Sequence, residues 1–316
     1  MGVWAFCSIR ISIQHPAASV IRKRSRQRTV ILLFDENSNT KGEQKMRKLL
    51  STIKKMVALG LVAALLVAPV CGNTATAYAK SKTASTVKID KKHFPDAAFR
   101  AYVKKEFDKN KDGKLSKAEI AKVSEIYVEY TKISSFKGIE YFTELTTFSC
   151  RSTQLKTLDV SKNRKLKYLG CEMNELKKLD VSKNTKLETL NCQYNPLNSL
   201  DVSKNKKLAN LLCFECGLEK LDVSKNTELQ TLECSCNKLT SLDVSKNTKL
   251  WKLLCDQNEL KQLDLSKNVA LETLDCRYNN LTILDLSKNT KLSDCACDTD
   301  VELIGYTRHC DDDEEW

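Results

Sequence analysis

The chain has 316 residues, with 52 Lys and Arg against 40 Asp and Glu, and its formal net charge is +12. Most of the excess lies in residues 1–79, which hold 12 basic and 3 acidic side chains. From residue 80 onward the signs nearly balance, at 40 basic and 37 acidic, so the net charge gives no reason to infer nucleic-acid binding.

Residues 46–79 have the layout of a secretory signal peptide. A basic start is followed by an apolar run from Met56 to Val70 and by the small residues Ala77-Tyr78-Ala79. The run is too short to span a bilayer as a retained anchor. We therefore predict a secreted, extracellular protein that begins at Lys80 and has no membrane span in its mature part. The alternative is a lipoprotein lipidated on Cys71.

Residues 1–45 precede this signal peptide and are basic and unpatterned. Because a signal peptide begins a chain, we interpret them as a misassigned N-terminal extension that results from a start codon placed too early. The codons of Lys41-Gly42-Glu43 can contain AGGAG, the pattern of a ribosome-binding site, shortly before Met46. The alternative is a genuine cytoplasmic extension.

Residues 80–122 predict a helical cap. A helix is expected after Pro95, because Phe99, Val103 and Phe107 recur with the spacing of one helix face. A second, exit helix is expected to start with Ile120 and Val123.

Between these predicted helices, the stretch from Asp108 to Glu119 fits the calcium loop of an EF-hand, with Gly113 at the sharp turn. The predicted ligands are the side chains of Asp108, Asn110, Asp112 and Glu119, the carbonyl of Lys114, and Ser116 through water. We predict weak Ca²⁺ binding, because a single loop is present and lysines lie between its ligands. The alternative is a cap that retains the loop sequence without binding calcium.

The rest of the chain is a repeat with a period of 21 residues. The phrase Leu-Asp-Val-Ser-Lys-Asn, with Leu for Val in the last two copies, begins at Leu158, Leu179, Leu200, Leu221, Leu242, Leu263 and Leu284. The whole unit reads L-x-x-L-x-C-x-x-N-x-L-x-x-L-D-V-S-K-N-x-x, two halves with one spacing.

Each half predicts a short strand, because the L-x-C and L-x-V pairs alternate with period 2. Stacked repeats place equivalent strands side by side in a parallel sheet, about 4.8 Å apart. The asparagines predict two ladders that bond the backbone through their side chains. One ladder holds Asn174, Asn195, Asn237, Asn258 and Asn279, and the other holds Asn163, Asn184, Asn205, Asn226, Asn247, Asn268 and Asn289.

These motifs resemble the leucine-rich repeats of secreted bacterial proteins, and the entry segment 133–145 is similar to that of internalin-type surface proteins. The resemblance implies an α/β, β-rich leucine-rich-repeat solenoid over residues 123–310, with an EF-hand-like cap over its first repeat. The acidic residues 311–316 are expected to form a tail.

Eight cysteines follow the 21-residue period: Cys150, Cys171, Cys192, Cys213, Cys234, Cys255, Cys276 and Cys297. Their β-carbons run side by side, which is a poor geometry for bridging, so we predict buried free thiols. Outside that series, Cys216 could pair with Cys236, and Cys295 with Cys310. Zinc bound through Cys213 and Cys216 is a further alternative.

No catalytic arrangement is evident, because His15, His93 and His309 lie outside the repeats and the repeated serines point to structure. We predict that the protein is not an enzyme. The acidic ladder Asp159, Asp180, Asp201, Asp222, Asp243, Asp264 and Asp285 is interpreted as structural, since a Ser and a Lys follow each member. A cation-binding stripe is the alternative.

The Cys half of the repeat varies at its outward positions, whereas the other half hardly varies. Exposed aromatic side chains suit recognition, so the predicted ligand-binding residues are Tyr168, Tyr194, Phe214, Trp251 and Tyr278. We predict a monomeric adhesion module for a protein or a glycan. The alternative is a passive, envelope-associated structural protein without a specific ligand.

Overall fold

A computed structural model describes residues 86–307 of the chain. The predicted extension 1–45, the signal peptide 46–79 and the acidic tail 311–316 lie outside the described residues, as does Cys310.

One parallel sheet of nine short strands runs through the described chain, as the L-x-C half of the repeat predicted. The strand predicted for the L-x-V half is wrong for most rungs within residues 86–307, because that half forms turns there and a strand only at Ile283–Asp285. Its strands are β3 (Glu125–Tyr127), β4 (Thr147–Ser149), β5 (Tyr168–Gly170), β6 (Thr189–Asn191), β7 (Asn210–Leu212), β8 (Thr231–Glu233), β9 (Lys252–Leu254), β10 (Thr273–Asp275) and β12 (Asp294–Ala296). From β4 onward each strand pairs with the one 21 residues away, so that Leu190 lies opposite Leu211. The 21-residue period of the sequence therefore sets which residues lie opposite each other in the sheet.

Two smaller sheets flank this one. The strands β1 (Val87–Lys88) and β2 (Lys114–Leu115) pair antiparallel in the N-terminal cap. The strands β11 (Ile283–Asp285) and β13 (Glu302–Ile304) pair in parallel at the C-terminal end. The apolar pattern that weakens after Leu292 thus continues as two further strands, with Cys295 at the buried leucine position opposite Leu274.

The cap contains helix α1 (Ala97–Phe107), whose N-cap residue Asp96 accepts hydrogen bonds from the N–H groups of Ala98 and Phe99. Such a cap satisfies donors that have no partner inside the helix. The exit helix was predicted wrongly. Helix α2 is the single turn Lys117–Ile120. It ends at Ile120, where the exit helix was predicted to begin, because the chain turns at once into β3.

Aromatic rings close the N-terminal end of the solenoid. Phe136 contacts both Phe99 of α1 and Phe148 of β4, with ring centroids 4.9 and 5.1 Å apart. A 3₁₀ turn, Ile139–Tyr141, brings Phe142 against Phe107. An exposed first rung would leave its apolar edge in water, and this cluster covers it.

Both asparagine ladders are confirmed. In the strand-end ladder, Nδ2 of Asn195 donates to the carbonyls of Cys171 and Cys192, and its Oδ1 accepts from the N–H of Leu176. In the second ladder, Nδ2 of Asn205 donates to two carbonyls of the preceding rung. These side chains satisfy buried backbone groups that the three-residue strands leave unpaired.

Candidate binding face

The outward side chains of the nine-stranded sheet form one continuous surface, called here the sheet face. In each strand the middle residue points into the core, and the first and third point outward. The strand starts form the column Glu125, Thr147, Tyr168, Thr189, Asn210, Thr231, Lys252, Thr273 and Asp294. The strand ends form the column Tyr127, Ser149, Gly170, Asn191, Leu212, Glu233, Leu254, Asp275 and Ala296.

A third column lies two residues after each strand end. It consists of Glu129, Arg151, Glu172, Gln193, Phe214, Ser235, Asp256, Arg277 and Asp298. Its members take part in contacts across the face, such as the hydrogen bond from Ser149 Oγ to Glu129 Oε1. The three columns differ at almost every rung, so the sheet face carries the variable chemistry of the repeat.

An apolar group lies at the centre of this face. Tyr194 and Phe214 are in contact, with ring centroids 5.0 Å apart and planes tilted by 59°. Leu212 is the last residue of β7, and Phe214 follows two residues later. Both side chains are half-buried. Leu254 holds the same outward position two rungs further on. This group of four is called the apolar centre below.

The structure separates the five predicted ligand-binding residues. Only Tyr194 and Phe214 are brought together. Tyr168 lies half-buried at the start of β5, and Trp251 lies one residue before β9, at the entry edge of the sheet. Tyr278 lies in a turn beyond β10 and is 65 % exposed.

Tyr194 and Tyr278 belong to a column of turn residues with left-handed backbone at the exit edge. Its members, with φ between 50 and 57°, are Tyr130, Ser152, Met173, Tyr194, Glu215, Cys236, Gln257 and Tyr278. Non-glycine residues adopt this region infrequently, and the surrounding hydrogen bonds hold it here. The N–H of Tyr194, for example, donates to the carbonyl of Phe214 on the next rung.

Sequence reasoning missed four outward apolar residues: Tyr127, Tyr130, Leu212 and Leu254. A signal for two of them was present, because Leu211-Leu212 and Leu253-Leu254 break the alternation that places a polar residue outward in the other rungs. The tyrosines precede the first regular repeat, so the 21-residue period gives no register for them.

Two carboxyls on the sheet face are held in unfavourable surroundings. Burial raises the pKa of Glu172 above its ordinary value, against a partial lowering by Arg151. Burial also raises the pKa of Asp256, although it accepts a hydrogen bond from Ser235 Oγ, and the neighbouring Asp275 adds repulsion. Both effects disfavour the charged form of the carboxyl.

In the acidic ladder, on the other half of the repeat, the surroundings favour the charged form of each carboxyl. The N–H of the serine two residues later donates to each aspartate, as from Ser203 to Asp201 at 2.8 Å. This hydrogen bond lowers the pKa of Asp201, and Lys204 lowers it further. These serine-to-aspartate hydrogen bonds support the structural interpretation of the acidic ladder. Within residues 86–307, no group of three or more His, Cys, Asp or Glu side chains is placed to hold a metal ion.

The predicted calcium loop is folded around its own side chains. Asp108, which is 3 % exposed, accepts from the N–H of Asp112 at 3.1 Å and of Gly113 at 3.0 Å. Gly113 has φ +76° and makes the predicted turn. Leu115 pairs with Val87, so a strand of the cap itself supports the loop.

Glu119 is engaged elsewhere in this loop. Its Oε1 accepts from the N–H of Lys109 at 3.0 Å, and its Oε2 accepts from the N–H and Oγ of Ser116 at 2.8 and 2.7 Å. The bond from the Ser116 N–H, together with the one that the Glu119 N–H donates to Ser116 Oγ, forms a helix capping box. The all-oxygen donor set fits a hard cation, and Glu119 would have to exchange these bonds to join it.

Seven of the eight cysteines of the series are buried as predicted, and Cys297, at the C-terminal end, is half-buried. Burial raises the pKa of Cys234 to about 12 and raises that of Cys213 well above its ordinary value. The suggested Cys216–Cys236 pair is not formed. Cys216 occupies an asparagine position of the strand-end ladder, where its Sγ lies 3.2 Å from the carbonyl of Cys192, and Cys236 lies in the exit turn.

Solved structures with the same architecture are leucine-rich-repeat proteins. The functional domain of InlJ from Listeria monocytogenes, described as including a cysteine ladder, is 32 % identical with a TM-score of 0.53. The match covers 73 % of this chain and 63 % of that domain. The described residues form a leucine-rich-repeat solenoid. Its structural neighbours are internalin-like proteins.

Two further leucine-rich-repeat structures share the fold. Internalin C2 of Listeria monocytogenes is 19 % identical with a TM-score of 0.50, over 70 % of this chain and 96 % of that one. A leucine-rich-repeat protein of Leptospira interrogans is 20 % identical with a TM-score of 0.53, over 56 % and 49 %. No protein-family model and no curated protein matches the chain. Among the described residues, no helix of the solenoid or its cap is long and apolar enough to cross a membrane.

Proposed function

We propose that this chain is a secreted or cell-surface binding module that takes a protein ligand on its sheet face. Leucine-rich-repeat neighbours are typically binding scaffolds without catalytic activity, which supports this function. The signal-peptide pattern of residues 46–79 supports export. Adhesion is the role that the internalin resemblance suggests.

The apolar centre carries the proposal. Leu212, Phe214 and Leu254 lie at outward positions that hold mostly polar or small residues in the other rungs, and Tyr194 lies in an exit turn, so none of them is needed for the core. Contact residues that lose water on binding contribute most of the binding energy, and tyrosine is enriched among them. Nine rungs spaced about 4.8 Å apart give a surface on the order of 40 Å long, enough for a protein contact of standard size.

The competing proposal is a passive envelope protein with no ligand. It predicts that outward residues drift freely, and scattered apolar residues would fit it. The contact between Tyr194 and Phe214, with Leu212 beside them, favours a shared role for these side chains.

The apolar centre is tested with residues borrowed from neighbouring rungs. In a triple variant, Tyr194→Gln copies Gln257, Leu212→Asn copies Asn191, and Phe214→Gln copies Gln193. We expect binding to partners found on a protein and glycan array to weaken by at least about tenfold, since the variant removes apolar contact area. The variant should melt within a few degrees of the native chain, because these side chains lie outside the core.

The matched control is Lys183→Glu, Lys204→Glu and Lys225→Glu on the half of the repeat that hardly varies. We expect this lysine variant to bind the same partners as tightly as the native chain does. Binding that survives the apolar variant and is lost in the lysine variant would place the site on the opposite side of the solenoid.

We further propose that the loop from Asp108 to Glu119 binds Ca²⁺ weakly and stabilises the cap. The supporting observation is the donor set itself, with Asp108 buried and its carboxylate fixed by loop N–H groups. When bound, the cation would supply charge that neutralises Asp108, Asp112 and Glu119.

Millimolar calcium should therefore raise the Tm of the chain by several degrees relative to EDTA, since a ligand that binds only the folded state stabilises it. Asp108→Ala or Glu119→Gln should abolish this rise, whereas Glu106→Gln, outside the loop, should preserve it. Differential scanning calorimetry gives the comparison. Equal melting in calcium and EDTA for the native chain would show that the loop is only a cap.

A further inference from the structure

The charges of the sheet face have the opposite sign to the chain as a whole. Over its three columns the face presents eight carboxylates, Glu125, Glu129, Glu172, Glu233, Asp256, Asp275, Asp294 and Asp298, against the three basic side chains Arg151, Lys252 and Arg277. Residues 80–316 together carry a small positive net charge. The basic side chains of the solenoid therefore lie mostly on its other surfaces.

Each cation of the face already has a carboxylate beside it. Lys252 Nζ lies 2.9 Å from Glu233 Oε1, and Arg277 lies 2.8 Å from Asp275. Arg151 Nε lies 3.8 Å from Glu172 Oε1.

Asp298 accepts hydrogen bonds from the N–H groups of Tyr278 and Asn279. The other four carboxylates of the face make no direct ion pair within residues 86–307: Glu125, Glu129, Asp256 and Asp294. Even the paired Glu172 keeps one buried oxygen, Oε2, without a hydrogen-bond partner.

We propose that the partner of the sheet face is a protein segment that presents Lys or Arg side chains beside apolar ones. This inference rests on the proposed function and names the chemistry of its ligand. Cationic side chains would neutralise the four carboxylates that make no ion pair, and apolar ones would cover the apolar centre. A polyanion, including an acidic polysaccharide, would meet like charges on this face, and like-charge contacts select against a partner.

The geometry sets where each kind of side chain should bind. Leu212 ends β7 and Phe214 follows it two residues later, with Glu233 on the next rung and Asp256 on the rung after it. At about 4.8 Å per rung, an apolar and a basic side chain separated by one or two positions of an extended segment would reach both. From β7 to Asp256 the expected order in the bound segment is therefore apolar and then basic toward the C-terminal rungs, whereas Glu125 and Glu129 offer a second basic position at the first rung.

The test uses a random twelve-residue peptide library displayed on phage and selected on the purified chain at physiological salt. We expect recovered sequences to be enriched in Lys or Arg together with aromatic or aliphatic residues. Their affinity should fall as salt rises, because exposed ion pairs are screened. Recovered sequences with the average charge of the starting library, or with an acidic bias, would overturn the inference.

Two variants with the same change in net charge locate the effect. The face variant is Glu129→Gln, Asp256→Asn and Asp294→Asn, and the edge variant is Asp222→Asn, Asp243→Asn and Asp264→Asn in the acidic ladder. Recovered peptides should bind the face variant at least about tenfold more weakly and the edge variant within about twofold of the native chain. Equal weakening in both would mean a bulk charge effect and would overturn the inference.

The outcomes separate this inference from the proposed function. Peptides that lose binding in the apolar variant but not in the face variant would leave the sheet face as the site and reject the basic partner. Peptides that bind both variants like the native chain would reject both.

Discussion

The chain should unfold abruptly as the pH rises past about 9, and its free energy of unfolding should fall by about 8 kcal/mol per pH unit there. The cause is the cysteine ladder. Burial is the main reason for raised pKa values in six of its thiols: Cys150, Cys171, Cys213, Cys234, Cys255 and Cys276.

The sign follows from comparing the folded and unfolded thiols. In the unfolded chain a cysteine ionises near pH 8.5, whereas Cys234 in the folded chain ionises at about 12. Below pH 8.5 both states keep the proton, and the stability contribution of burial is fully present. Above pH 8.5 only the unfolded chain releases protons, so stability is lost as the pH rises toward the folded pKa, and each such thiol adds about 1.4 kcal/mol per pH unit.

Circular dichroism from pH 7 to 11, in the presence of a reductant, measures this transition. The matched variant is Cys213→Ala, Cys234→Ala and Cys255→Ala. It should be less stable at pH 7, because cavities form, but its stability should fall about 4 kcal/mol less steeply per pH unit. Identical slopes for the two proteins would show that other groups, such as lysine or tyrosine, cause the alkaline transition.

The architecture was predictable because the repeat imposes its own register. Equivalent residues such as Leu190 and Leu211 must align when each unit has 21 residues and stacks on the last. The buried asparagines were predictable for the same reason, but their role was only partly understood. The sequence did not show that the residue before each strand-end asparagine, such as Tyr194, adopts the left-handed backbone of the turn.

The binding face was less predictable, because periodicity assigns a residue to a column without stating which columns share a surface. Tyr278 and Trp251 looked equivalent as outward aromatics, but they lie at opposite edges of the sheet. Leu212 was not predicted as a surface residue, because a leucine next to the core leucine Leu211 is easily taken for a second core residue. The exit helix failed for a different reason, since Ile120 and Val123 are apolar with helical spacing but pack where the chain turns into β3.

The strand-end ladder also contains its own natural exception. Cys216 replaces an asparagine there, and the N–H of Leu197, which would meet that asparagine's Oδ1, donates to the carbonyl of Asn195 instead. The backbone next to Pro196 has thus adapted to one missing amide. The neighbouring rungs have no such adaptation, because their asparagines are present.

Asn237→Ala should therefore be among the most damaging single changes, lowering the free energy of unfolding by about 3 kcal/mol. Its Nδ2 donates to the carbonyls of Cys213, Cys234 and Ser235, and its Oδ1 accepts from the N–H groups of Cys216 and Leu218. All these backbone groups would lose a partner inside the solenoid, where water cannot replace it.

Urea unfolding at pH 7 measures the loss, with Asn210→Ala as the control. Asn210 lies half-buried on the sheet face and bonds only the Thr189 hydroxyl, at 3.2 Å, so its loss should cost less than about 1 kcal/mol. If the ladder stabilises each rung through its neighbours, Asn237→Ala should also broaden the transition, because a weakened rung uncouples the repeats on either side of it. Similar midpoints for the two variants would mean that the strands hold together without the amide ladder.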